Sequence, residues 1–403
     1  MATHAKATYI SHMKIFFLIP AILLANLAKA QSYQKIHRKA IVVDTHNDVL
    51  MRAADLGTVI DEDRTGKDHS DLARWKKGGL DVQVFSVYTD GDKQNAYAFA
   101  NREMDSLDAV VARNPDKIVK VFSYRDLMRA VKEQKIAAMF GVEGGHMIEN
   151  DLGKLVNLYK RGARYLTLTH NIAPAWATSA ADETSGKILP HKGLTDFGKQ
   201  VVQRMNSLGM LVDVSHAGEQ TFWDVIATST KPIIASHSSV YALTPHRRNL
   251  KDEQIKAIAK NGGVIQINFH PGFIDSSFDK KEAAFFKLHA TELDSLKLAG
   301  VQEHYAADFV YRKYAAEAEL MRPPLSMVID HIEYIIKLVG INYVGLGSDF
   351  DGINLTPLQL DDVASYPVIT SALLQKGYSK KEIWKILGGN FLRVLGANER
   401  IVL

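Results

Sequence analysis

The chain has 403 residues, 46% hydrophobic and 23% charged, which suits an ordinary globular protein built as one large barrel or two medium domains. Its formal charge of +4 traces mostly to Lys6, Lys14 and Lys29 in an acid-free leader; the rest carries 46 basic against 45 acidic residues, so nothing in the charge points to a nucleic-acid partner or an anionic surface. With no cysteine, disulfides, a thiol nucleophile and lipoprotein acylation are excluded, and any zinc must be held by His, Asp and Glu.

At the start, Lys14 precedes the apolar run Ile15 to Ala25, and Ala28-Lys29-Ala30 puts small residues where a signal peptidase reads, just before Gln31. Residues 1–30 therefore read as a secretory signal peptide, and the mature protein is expected to be periplasmic or secreted. The run holds Pro20 and is shorter than the roughly 20 residues a membrane span needs, so no stable insertion is expected after cleavage. Met13 is a second possible start, because His4, Lys6 and His12 make the leader long.

Beyond it, short apolar runs alternate with longer amphipathic ones. Strands are expected at Ile41 to Val43, Val82 to Val87, Ala137 to Val142, Tyr165 to Thr169, Leu211 to Val214, Ile233 to Ala235, Val264 to Ile267 and Tyr343 to Leu346. Thr195 and Asp196 are candidate caps for a helix carrying Phe197, Val201 and Met205, which Gly209 should end. Eight strands separated by helices, with no low-complexity linker, predict a single (β/α)8 barrel over residues 31–403. A doubly wound sheet would want a glycine-rich loop after its first strand, and Asp44 to Asp48 has no glycine. Residues 271–324, after the seventh strand, carry helical spacing and read as an insertion, either a solvated one or a lid or subunit contact at the site mouth.

The strand ends carry the chemistry. The first ends in His46 and Asp48, the third in Glu143, the fourth in His170, the fifth in Ser215 and His216, the sixth in His237 and the eighth in Asp349. In a barrel these all reach one rim, where such folds build their sites. His46 and Asp48, two residues apart on extended chain, point the same way and can reach one cation. Each has a bland reading alone: HxD as a turn, Glu143 in a glycine-rich loop, His216 as a helix cap, His237 as a satisfied rim histidine. Together, three imidazoles and two carboxylates suit zinc, and a carboxylate can bridge two ions. Such a pair activates water, whose pKa falls toward roughly 7 on a metal, and that describes a hydrolase.

The segments DTHNDV, GVEGGH, YLTLTHN followed by Trp176, GLTDFG, MNSLGMLVDVSH, SHSS, RRN and GLGSDFDG, in this order, resemble the membrane dipeptidase (renal dipeptidase) family of zinc peptidases. The similarity runs from about Ala40 to Leu395. It implies an amidohydrolase-like barrel with two zinc ions that cleaves dipeptides, with a homodimer as the family default. Carried onto this sequence, His46 and Asp48 would bind the first zinc, His216 and His237 the second, and Glu143 both. Asp349 would be the acid/base group and touch substrate, His170 would contact substrate and donate to the oxyanion, and Arg248 would hold the C-terminal carboxylate. Asp44, further back on the first strand, reads as a structural group. Thr45 stands where many members carry glycine, and the chain ends at Ile401-Val402-Leu403 without the hydrophobic tail of lipid-anchored relatives, so soluble export is expected. Two alternatives remain open: related hydrolysis of β-lactams, acyl-amino acids or lactones, and a non-catalytic exported metal-binding protein.

Overall fold

The structure, a computed structural model, describes residues 33–399; the expected signal peptide lies outside the described residues. Among these, nine strands appear: β1 (Val43–Asp44), β2 (Val82–Tyr88), β3 (Ile118–Lys120), β4 (Ile136–Glu143), β5 (Ala163–Thr167), β6 (Leu211–Asp213), β7 (Ile234–Ala235), β8 (Val264–Ile267) and β9 (Val344–Leu346). Eight follow one another side by side in the order β1-β2-β4-β5-β6-β7-β8-β9, every pairing parallel, while β3 lies off this path against β4. The ring closes through backbone bonds from Thr45 N to Leu346 O (3.2 Å), Asp349 N to His46 O (3.1 Å) and Asp48 N to Phe350 O (2.9 Å). The expected (β/α)8 barrel is the observed architecture, with β1 displaced toward Asp44 and β3 added.

Alternation along the strands sorts the barrel interior by height. On β2, Val82 and Val84 join the inner apolar cluster with Val43, Met139 and Tyr165, and two residues on, Ser86 and Tyr88 continue the same inward face. Phe391 and Leu395 of the helix Asn390–Asn398 also pack into this cluster. The intervening Phe85 and Val87 point outward into the larger core beneath the helices. A fully buried strand such as β2 or β4 needs apolar cover on both faces, which the helices supply. The helix Asp196–Leu208 shows the expected ends: Thr195 Oγ1 accepts from Gly198 N at 3.3 Å, and Gly209 closes it at φ 79°.

Residues 271–324 fold into five helices, from Pro271–Ile274 to Ala315–Glu319. They carry their own small core around Phe278, Phe285, Val310 and Tyr311. The segment is pinned to the barrel by Arg312, which donates to Gly66 O at 2.7 Å, and by the Arg52–Asp308 ion pair at 3.3 Å. Among the described residues no helix is long and apolar enough to cross a membrane.

Candidate active site

All the strand-end residues singled out from the sequence meet at one end of the barrel. Glu143, the last residue of β4, is the hub. Its Oε2 lies 3.3 Å from His46 Nε2, and its Oε1 lies 3.1 Å from His216 Nε2 and 3.3 Å from His237 Nε2. His46 Nε2 is also 3.5 Å from Asp48 Oδ2, and the Nε2 atoms of His216 and His237 stand 3.0 Å apart. Donor atoms of His46, Asp48 and Asp349 fall within 4.8 Å of one another, as do those of Glu143, His170 and His216. Asp349 Oδ2 accepts from Asn268 Nδ2 at 2.8 Å. Arg248 is buried behind His237, donating to its carbonyl at 3.1 Å, while its Nε finds no acceptor.

Hydrogen bonds behind the imidazoles fix which nitrogen faces inward. Tyr165 donates its hydroxyl proton to Thr45 O at 3.0 Å, so its oxygen accepts from His46 Nδ1 at 2.7 Å. Likewise Ser236 Oγ donates to Asp213 Oδ2 at 2.6 Å and accepts from His237 Nδ1 at 2.8 Å. With a proton committed to Nδ1 in each ring, Nε2 is the nitrogen turned to the centre, the one a metal ion would use once any proton there is displaced. Asp44 is occupied differently: it accepts from Ser348 N, Ser348 Oγ, Tyr366 OH and Gln83 Nε2, tying β1 to β2 and to the segment that follows β9 beneath the site.

The electrostatics ask for a cation. Burial would lower the His46 imidazole, but Glu143 and Asp48 outweigh it and raise it to about 10. Burial lowers His216 and His237, so both stay neutral near pH 7 and can act as ligands. Burial pushes Asp48 well above the usual carboxylate range, an effect that Glu143 and Asp349 reinforce. His46 Nε2 and Asp48 Oδ1 are buried without a hydrogen-bond partner. Lone pairs and carboxylates crowded into a dry site with unsatisfied atoms fit divalent ions, and an all-His/Asp/Glu donor set suits zinc.

The backbone is bent to make this fit. His216 and Asp349 hold left-handed φ values of 62° and 65°, costly for residues with a side chain and characteristic of functional sites. A Cβ added at Gly352 would fall 2.2 Å from Asp48 Oδ2 and 2.7 Å from Asp349 Oδ1, so only glycine lets this loop lie against both carboxylates.

A cavity of about 300 Å³ opens over these groups. It is also lined by Tyr88 and by Gln302, His304 and Tyr305, from the inserted helical segment, which forms one wall of the site. Sequence reasoning missed Ser86, Tyr88, Tyr165, Asn268 and His304. For Ser86 and Tyr88 a signal existed, because they continue the inward alternation of β2. Nothing in spacing marks His304. His270 also lines the cavity, but its Nδ1 accepts from Gly272 N at 2.8 Å and serves as a helix cap. His146 is turned away to Thr89 O at 2.9 Å.

The sequence matches the membrane dipeptidase family, peptidase family M19, over residues 30–402. An uncharacterized dipeptidase of Schizosaccharomyces pombe is 31% identical over 393 residues, 93% of this chain and 84% of its own length. The crystal structure of the probable dipeptidase PvdM from Pseudomonas aeruginosa superposes with a TM-score of 0.76 at 25% identity, covering 92% of this chain and 98% of that one. A metallo peptidase from Rhodobacter sphaeroides, crystallised with a phosphinate mimic of the dipeptide L-Ala-D-Ala, gives a TM-score of 0.72 at 22% identity, covering 90% and 100%. A family match across nearly the whole chain, on a barrel whose rim gathers this donor set, makes the protein a member of the membrane dipeptidase family of metallopeptidases.

Proposed function

We propose that the protein is an exported dipeptidase working with two zinc ions, and that it accepts dipeptides with a C-terminal D-residue as well as L,L-dipeptides. His46 and Asp48 would hold one ion, His216 and His237 the other, and Glu143 both. The observation that carries this reading is Glu143, whose two oxygens face His46 on one side and the His216–His237 pair on the other within 3.3 Å. Tolerance of a D-residue is suggested by the Rhodobacter sphaeroides structure, which binds a mimic of L-Ala-D-Ala.

When bound, the ions supply Lewis-acid polarisation of the scissile carbonyl and lower the pKa of water. The protein's own groups do the rest. Arg248, with an unused Nε, takes the substrate's terminal carboxylate, which restricts the site to short peptides with a free end. Asp349, anchored through Oδ2, uses its other oxygen to accept a proton from the attacking water and return it to the departing amine. His170 is lowered to about 4 by burial, so its ring is neutral. Its Nδ1 lies 3.3 Å from Tyr88 Oη, whose proton goes to Asp90 Oδ1 at 2.7 Å. In the tautomer protonated at Nε2, with Nδ1 accepting from the Tyr88 hydroxyl in place of Asp90, His170 donates to the oxyanion.

A panel of L,L- and L,D-dipeptides is expected to release free amino acids, with activity lost on chelation, restored by zinc, and two zinc ions per chain by elemental analysis. No release from any dipeptide by protein holding two zinc ions would sink this reading in favour of another amide or lactone substrate. Export rests on the leader: mature protein recovered from outside the cytoplasm is expected to begin at Gln31, and an intact Met1 or Met13 terminus there would contradict it.

A further inference from the structure

A second cavity, of about 290 Å³, lies on the far side of His216, the residue that lines both it and the catalytic cavity. Four cations face it: Lys192, Arg247, Arg248 and Lys251. The carboxylates lining it are Glu183 and Glu219, and both are engaged. Glu219 pairs with Lys251 at 2.7 Å, and Glu183 accepts from Thr178 Oγ1 and from Gln220 N. Lys192 and Arg247 are exposed to the cavity and, among the described residues, make no ion pair. Arg248 is only 5% exposed, and its Nε has no acceptor. A desolvated guanidinium with a free donor, sharing its cavity with two unpaired cations, is complementary to an anionic group.

We propose that this cavity receives the side chain of the substrate's C-terminal residue and that Lys192 and Arg247 select aspartate or glutamate there. The inference rests on the dipeptidase reading: with the terminal carboxylate on Arg248, the side chain of the same residue is the part of the substrate that reaches the neighbouring cations. A carboxylate side chain gains both partners, an alanine neither, and a lysine meets like charge. Both cations keep part of their hydration, so each contributes modestly, about two- to fivefold in kcat/KM. Their influence fades with salt, since screening lengths fall from about 10 Å at 0.1 M to about 3 Å at 1 M.

The test uses zinc-loaded full-length protein and Ala-Ala, Ala-Asp, Ala-Glu and Ala-Lys, each with the second residue L or D. The acidic pair is expected to exceed Ala-Ala by about tenfold in kcat/KM at low salt, and Ala-Lys to fall below it. Raising the salt should compress this spread. In the double variant Lys192→Ala, Arg247→Ala, the preference should shrink to within about twofold, with Ala-Ala turnover close to wild type. Arg247→Glu should bring Ala-Lys level with or above Ala-Asp, which guards against a merely unfolded double variant. Cleavage of Ala-Ala without an acidic preference, or a preference that survives the double variant, overturns this inference alone. Cleavage of none of the four overturns the dipeptidase reading and the inference together.

Discussion

Asp349→Asn is expected to lower kcat by about 10²- to 10⁴-fold while two metal ions stay bound, the size of effect seen when a positioned general acid/base is removed. The residue is set up for that one task. It sits at a left-handed φ of 65°, and Asn268 Nδ2 holds its Oδ2 at 2.8 Å. Burial works to raise its carboxyl, but the charged His46 ring and the hydrogen bond from Asn268 hold it below its ordinary value, so it is ionised and ready to take a proton near neutral pH. Asparagine keeps the shape, and its carbonyl can accept from Asn268, so the loop should stay in place. What disappears is the capacity to carry a proton from water to the amine. Elemental analysis, kcat on one dipeptide and a thermal melt together decide the matter. Near wild-type kcat would assign the proton to another group. Loss of one ion would make Asp349 a ligand beside His46 and Asp48, whose donor atoms lie within 4.8 Å of it.

The barrel was legible in the sequence because each strand is a short buried run of mainly apolar residues that ends in polar ones, and the polar ends fall where a barrel places its rim. β3 escaped notice, since Ile118-Val119-Lys120 is too short to stand out from a loop and pairs only at the side of β4. β1 was misplaced because its second residue is Asp44, which looks like the end of a strand until its four hydrogen bonds from Gln83 on β2, Ser348 just after β9 and Tyr366 on the helix Tyr366–Gln375 are seen. The site divides the same way. His46, Asp48, Glu143, His216 and His237 are polar where apolar residues would be expected, so they attract attention. Tyr165 hides among apolar neighbours, and only its hydroxyl contact with His46 shows what it does. The wall formed by Gln302, His304 and Tyr305 could not be read at all, because helical spacing does not say which face of an inserted helix meets a cavity 30 or more residues away in sequence.

Glu143→Gln is the variant expected to do most damage: bound zinc should fall below two per chain, and turnover should drop by about 10³-fold or more, as when one partner is removed from a buried charged network at a cost of about 3–5 kcal/mol. Both halves of the site depend on this side chain. Its Oε2 faces His46 and accepts from Ser86 Oγ at 3.2 Å, while Oε1 faces His216 and His237. A glutamine must turn its NH₂ toward one half or the other, placing a donor where a metal ion would need a lone pair. It would also remove the negative charge that, on the two-zinc proposal, would ease repulsion between the ions. Calorimetric titration of metal-free protein with zinc would measure the change, and two ions bound with wild-type affinity would show that Glu143 bridges nothing. Asp48→Asn provides the contrast. Asp48 touches only the His46 side, so that variant is expected to weaken one ion and spare the other, and the difference between the two titrations separates a carboxylate shared by both ions from a ligand to one.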